Sequence, residues 1–269
     1  MTDGRFSRQS FLGENAQGVI ERAVVGLTGL GGGGSHVVQQ LAHLGFLNYR
    51  IYDPDAVEDS NLNRLVGADS NDAAEGTPKI EVARRVIKGL RPEAVVKAYA
   101  QRWQDNPEPL RGCDVIFGCV DGFGERRELE ACARRYLIPL IDIGMDVHVV
   151  GDEPPRMGGQ VILSMPGGPC MFCLGFLNEL TLAREGERYG DAGARPQVVW
   201  PNGVLASTAV GLAVDLLTDW SRSLRHVVYM EYDGNAGTVK PHMRLQYLGE
   251  GKCSHYPFDQ VGDPRFNSI

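Results

Sequence analysis

The 269-residue sequence predicts an α/β fold: a doubly wound, mostly parallel sheet extended by antiparallel strands toward the C-terminal end. Three observations carry this expectation. From Ala23 to about Gly144, short apolar runs alternate with segments whose apolar residues recur at helical spacing. The glycines Gly31 to Gly34 separate the first apolar run from the first helical segment. After about residue 150 the alternation gives way to one more strand-like run, a long apolar helix and a hairpin.

Ala23 to Leu27 is the first strand, and Val37, Val38, Leu41 and Leu44 define a helix from near Gly34 that stops at Gly45. Tyr49 to Tyr52 is the second strand, ending at Asp53, which completes a βαβ unit of about 30 residues. A polar loop leads to a second helix with Thr77 as N-cap, Pro78 in the first helical position, and Gly89 and Pro92 at the far end. Val95 to Ala100 and Asp114 to Val120 read as strands, Glu125 to Tyr136 as a helix, and "IPLIDIGM" (138–145) as a buried strand. "GGQVILS" (158–164) suggests an antiparallel strand and "PGGPCMFC" (166–173) a knuckle, followed by a polar connection from Leu180 to Gln197. A long apolar helix spans Asn202 to Trp220, and the hairpin turns at Asn235 and Gly237. The chain reads as a single unit over 1–269, with a nucleotide-binding half (1–150) and a C-terminal half (151–269).

A net charge of −7 without a basic run speaks against nucleic-acid binding, which needs clustered Lys and Arg. No apolar stretch of about 18 residues is read from the sequence, nor a secretory leader, so no membrane is expected and the cytoplasm is the expected location. Of six cysteines, Cys113, Cys119 and Cys132 sit in or beside apolar segments and read as core. Cys170 and Cys173 form the one C-x-x-C, a metal or redox spacing in a cytosolic chain.

Gly29, Gly31 and Gly34 satisfy the Rossmann-like G-x-G-x-x-G, a pattern shared by NAD and ATP sites. Gly31 and Gly32 let the backbone approach a phosphate, and the helix behind them points free N–H groups at it. Asp53 is placed to bond ribose hydroxyls. Asp53, Asp55, Asn61 and Arg64 share one loop beyond the sheet, and Lys79 opens the next helix. A hydride-transfer enzyme has no evident use for this second carboxylate, amide and two cations. Phosphoryl chemistry does, because Arg and Lys stabilise charge on phosphorus and pyrophosphate while a carboxylate holds Mg²⁺.

Together with "RFSRQ" (5–9), "GLGGGG" (29–34), "DPDAVEDSNLNR" (53–64), "GTPK" (76–79), "GCVDG" (118–122), "RMGGQ" (156–160) and "GPCMFC" (168–173), the chain resembles the ThiF/MoeB/HesA-type, E1-like adenylyltransferases. The motifs follow the family's order over most of the sequence. The resemblance implies ATP over the glycine loop with its ribose on Asp53, phosphates contacted by Asn61, Arg64 and Lys79, and Mg²⁺ associated with Asp121. It implies attack by the C-terminal glycine carboxylate of a small ubiquitin-like or sulfur-carrier protein on the α-phosphorus. It also implies a homodimer in which Arg8 reaches the other subunit's nucleotide.

Three departures qualify the likeness. Gly122 stands where relatives carry Asn. The second C-x-x-C that closes a structural zinc site in such enzymes is replaced by "KCSHY", so Cys170, Cys173 and Cys253 are three expected Zn²⁺ ligands and His255 the fourth. No cysteine lies between Gly175 and Lys252, where a transfer thiol belongs, so an adenylate-only activator is expected. The alternatives are adenylation of a carboxylate on a tRNA base or free peptide, and a non-catalytic nucleotide scaffold or NAD-dependent dehydrogenase.

Overall fold

A computed structural model describes residues 4–149, 151–187, 196–221, 223–248 and 253–256. The strands are β1 (Val24–Thr28), β2 (Asn48–Tyr52), β3 (Val95–Tyr99), β4 (Val115–Gly118), β5 (Leu140–His148), β6 (Arg156–Ser164), β7 (Tyr229–Asp233) and β8 (Thr238–Pro241). They form one sheet in the order β3-β2-β1-β4-β5-β6-β7-β8. Pairing is parallel from β3 to β5 and antiparallel from β5 to β8, the mixed sheet that the sequence predicts. The helices are α1 (Ala16–Arg22), α2 (Gly32–Leu44), α3 (Ser70–Glu75), α4 (Lys79–Leu90), α5 (Phe123–Arg135), α6 (Glu179–Glu187) and α7 (Val199–Thr218).

Strand alternation builds two apolar layers. Phe117, Ile141 and Leu163 face the layer that holds α2, α4 and α7, while their neighbours Ile116, Leu140 and Ile162 face α5 and the knuckle. Central strands buried on both faces explain why "VIFG" and "IPLIDIGM" are nearly continuous apolar runs. The strand order reverses between β1 and β4, where a parallel sheet opens a crevice at its carboxyl end.

Several boundaries differ from the sequence reading. α2 begins at Gly32 rather than near Gly34. Thr77 does not cap α4: its carbonyl accepts from Val57 N at 2.8 Å and Ala56 bridges Pro78, so this stretch is extended and Pro78 is the cap. Gly89 lies within the last turn of α4. The polar connection after Leu180 starts as α6, and the part at 188–195 lies outside the described residues. β8 stops at Pro241, and a 3-10 turn at Met243–Tyr247 follows, capped by His242 Nδ1 accepting from Arg244 N at 3.1 Å. The N-terminal 3-10 segment Gly4–Leu12 and α1 carry too few periodic apolar residues to be read from sequence.

α7 corrects another expectation: its 20 residues reach a mean hydropathy of 1.2 over an 18-residue window, long and apolar enough to cross a membrane. In the fold 56% of that window is buried, and the helix packs on α2, β5, α1 and β6.

Candidate active site

The glycine loop does four different things. Gly29 has φ +83°, and a Cβ there would overlap the Cys119 carbonyl, so the turn out of β1 requires glycine. A Cβ on Gly32 would lie 2.5 Å from Asn202 Nδ2 of α7, and one on Gly33 2.8 Å from Ile143 Cδ1. One on Gly34 would overlap the Gly29 carbonyl oxygen. Gly31 alone among the five opens onto free space, with nothing within 4 Å of its Cβ position. Gly29, Gly31 and Gly32 border the crevice, whereas Gly34 lies behind it and serves close packing of α2 on the turn.

Asp53 closes the floor of the loop. It is 4% exposed; its Oδ2 accepts from Leu30 N at 2.6 Å and its Oδ1 from Asp55 N at 2.9 Å. Burial raises this carboxyl above the ordinary aspartate range, opposed by the Lys79 ammonium and the two amide donors. Each of its oxygens keeps a further lone pair beyond these amide bonds.

Lys79, the first residue of α4, donates to Asp55 Oδ2 at 2.8 Å; the lysine side chain is 11% exposed and the aspartate 63%. Asn61 is buried, its Oδ1 accepting from Glu58 N at 3.1 Å in a capping box. Arg64 donates to Ser60 O at 2.6 Å and to Asn63 Oδ1 at 2.9 Å. These three and Asp55 line the same cleft as the glycines.

The opposite wall is the turn from β4 into α5. Asp121 is exposed there, with Gln197 Nε2 donating to its Oδ1 at 3.5 Å. Beneath it Arg126 is buried and ion-paired to Asp142 of β5, and it donates to Val120 O at 2.5 Å and Ile143 O at 3.2 Å. Its guanidinium lies over the Phe176 ring at 5.8 Å. Burial pushes the Asp142 carboxyl up to about 6 although Arg126 adjoins it. The sequence sign of this pair is an acid in the middle of an apolar strand, a position that demands a partner. Asn202 gives no such sign, lying in the first turn of a helix read only as apolar.

The whole cleft has a volume of about 1560 Å³ and runs from Gln101–Gln104 past the glycine loop to the end of β5 at Met145–His148. Cys119 also borders it, but burial pushes its thiol far above the ordinary range, so it carries little thiolate. His36 Nε2 is buried without a hydrogen-bond partner, and burial lowers its pKa.

Arg8 lies elsewhere. It is exposed on the N-terminal 3-10 segment, whose Gln9 donates to Leu44 O at 3.0 Å and whose Arg5 donates to Leu90 O at 3.0 Å. Those carbonyls are the last of α2 and α4, while the cleft lies at the first turns of both helices. Thirteen residues of α2 separate the two ends by about 20 Å.

Cys170, Cys173, Cys253 and His255 converge beyond α5, with ligand atoms all within 4.8 Å of one another. Cys170 Sγ to Cys173 Sγ is 3.6 Å, and His255 Nδ1 lies 3.5, 3.4 and 4.0 Å from the three sulfurs. Bonds of 2.3 Å to sulfur and 2.0–2.1 Å to nitrogen give a tetrahedron edges of about 3.8 Å (S–S) and 3.6 Å (S–N), so the four residues fit zinc. The knuckle is tied to α5 by Glu130, which is fully buried. Its Oε1 accepts from Ser164 Oγ at 2.6 Å and Met171 N at 2.9 Å, and its Oε2 from Tyr256 OH at 3.3 Å. Arg134 completes the network through Ser164 Oγ, Gly168 O and Pro169 O.

An open face at Gly31, a buried acid beneath the loop and two cations along one cleft meet at a strand-order reversal, the place where open α/β sheets bind ligands. The chain belongs to the ThiF family, whose pattern matches residues 6–252. Its relatives are E1-like adenylyltransferases. The SAMP-activating enzyme E1 of Haloferax volcanii is 32% identical over 175 residues, 63% of this chain and 61% of that protein. The molybdopterin-synthase adenylyltransferase of Salmonella typhimurium is 31% identical over 192 residues, 68% and 73% of the two chains. A crystal structure of E. coli MccB with ATP shares the fold at a TM-score of 0.71 and 20% identity, over 90% of this chain and 72% of that one.

Proposed function

We propose that this protein uses ATP and Mg²⁺ to adenylate the C-terminal glycine of a small ubiquitin-like or sulfur-carrier protein, releasing pyrophosphate and forming no enzyme thioester. The observation that carries the reading is the Lys79–Asp55 ion pair in one cleft with Arg64, Asp121 and the open face of Gly31. In this reading Gly31 and the free N–H groups of α2 cradle phosphates, and Asp53 holds the ribose. Lys79 exchanges Asp55 for phosphate oxygens, and Arg64 and Asn61 contact the same chain of phosphates. Mg²⁺ on Asp121 would offset phosphate charge. The carrier's tail enters along Met145–His148 and Phe176, and its carboxylate attacks the α-phosphorus while pyrophosphate departs.

Arg8 is given in trans within a homodimer, because its own cleft lies at the other end of α2. Zn²⁺ on Cys170, Cys173, Cys253 and His255 is structural, since four protein ligands leave no open position. The acidic chain acts in the cytoplasm and not on nucleic acid.

The test is ATP:pyrophosphate exchange with a carrier ending in glycine. Exchange that needs both carrier and Mg²⁺ supports the reading; a rise in melting temperature with NADH but not ATP refutes it. A reductant-sensitive enzyme–carrier band on a denaturing gel refutes the absence of a thioester.

A further inference from the structure

The fourth residue of α7 is an asparagine, a weaker helix former than the alanines and leucines that make up much of this helix. Asn202 is 5% exposed and lies against the glycine loop: a Cβ on Gly32 would meet its Nδ2 at 2.5 Å, and one on Gly33 its Oδ1 at 3.6 Å. Only a residue without a Cβ at position 32 leaves room for this amide.

The amide is oriented by its own helix. Nδ2 donates to Val198 O at 2.9 Å, and a carbonyl accepts only from the NH₂ side, so Oδ1 is turned the other way. Among the described residues no donor reaches Oδ1. The atom is not walled off as His36 Nε2 and Gln104 Oε1 are; Asn202 borders the cleft, and its oxygen opens on it. An acceptor so placed is costly to leave without an N–H or O–H partner when a ligand excludes water.

Nucleotide phosphates carry no donor for it, and the ribose hydroxyls of the proposed reading belong to Asp53, at the end of β2. Asn202 stands on the other side of β1, with Ile143 and Met145 of β5, where the carrier's tail is taken to enter. Gln160 of β6, another amide on this side of the cleft, is bonded to Asp142. We propose that Asn202 Oδ1 accepts from the peptide N–H of the carrier's terminal glycine and so positions its carboxylate for attack; this rests on the reading of the cleft as an adenylation site. Only one Cα separates that N–H from the carboxylate, less than the about 3.3–3.6 Å that a residue spans. An N–H fixed beside Gly32 therefore leaves the carboxylate next to phosphates cradled at Gly31 and the start of α2.

The experiment uses a glycine-ended carrier and the same carrier made by ligation with glycolate as its last unit, so that an ester oxygen replaces the final peptide N–H. In the parent the ester should lower kcat/KM for ATP:pyrophosphate exchange about tenfold, the effect of leaving one buried acceptor unpaired. In Asn202→Ala, or in Asn202→Leu should the smaller residue unsettle the helix, exchange should be slower but equal for the two carriers within about twofold. Asn202→Asp keeps the acceptor, and the amide carrier should remain about tenfold better there. A structural role alone would lower stability and leave the amide-to-ester ratio untouched. An equal ratio in the parent and in Asn202→Ala, or no ester effect in the parent, overturns the assignment while adenylation stands. Loss of ATP affinity in Asn202→Ala with the ratio unchanged overturns it too and gives Asn202 to the nucleotide. If neither carrier supports exchange in the parent, the adenylation reading itself falls, and this assignment with it.

Discussion

Alanine at Gly31 and alanine at Gly34 separate ligand space from packing space three residues apart. At Gly31 the backbone is at φ −69°, ψ −149°, not in the left-handed region, and the new methyl meets no atom within 4 Å. The expected change in unfolding free energy is about 0.5–1 kcal/mol, the difference between glycine and alanine at a helix N-cap. If the proposed reading holds, the methyl projects into the space taken by the phosphates and displaces at least one charge-assisted amide contact, worth about 1.5–3 kcal/mol. ATP affinity should therefore fall about 10- to 150-fold. At Gly34 the methyl collides with the Gly29 carbonyl, backbone on backbone, and the chain should lose about 3 kcal/mol or more. Urea unfolding and titration calorimetry with ATP read the two quantities. If Gly31→Ala binds ATP as the parent does, or if Gly34→Ala is as stable as the parent, the division of the glycines is wrong.

Asp142 predicts opposite pH trends for stability and activity. Its raised carboxyl makes the folded state the better proton binder, so its stabilising contribution is full below the unfolded value of about 3.9 and is lost as pH rises through about 6. Exchange should instead fall below about pH 6, because a neutral Asp142 no longer holds Arg126 under the Val120 carbonyl; Asp142→Asn should remove the inflection from both melting and exchange profiles. Lys79→Ala should lower exchange about 10²- to 10³-fold with little change in melting temperature, since its partner Asp55 is 63% exposed and such pairs contribute about 0–1 kcal/mol. Metal analysis should find about one zinc per chain, and Cys170→Ser should lower the melting temperature more than the exchange rate. Metal-free protein, with unchanged melting in that variant, would defeat the zinc assignment.

Where periodicity and turn chemistry act locally, the sequence was readable. β1, the glycine turn, α2 and β2 lie within a few residues of their expected bounds because each follows from its own apolar spacing and a stop at Gly45. Asp53, Asp55, Asn61, Arg64, Lys79 and Asp121 were assembled from one loop, one helix start and one strand end, and they share one cleft. What stayed hidden depends on contacts between distant segments. Gly32 reads as a phosphate-approach glycine until Asn202, 170 positions later, is seen to occupy its Cβ direction. Thr77 reads as a cap until the bridge between Ala56 and Pro78 holds it extended. Nothing in the local pattern of α5 singles out Arg126, and only the chain path of β5 beneath α5 buries it on Asp142.

β5 has a consequence for how the chain can come into being. Its first three residues pair with β4, whereas all nine pair with β6. A ribosome that has released only the first 150 residues therefore leaves an apolar strand with one whole edge open, a template for pairing with another nascent chain. Protection comes only when Arg156–Ser164 emerges and turns back. A fragment cut near residue 150 is therefore expected to expose the β5 edge, and a split of this protein into complementing halves is better placed in a connection that leaves β5 and β6 on the same piece.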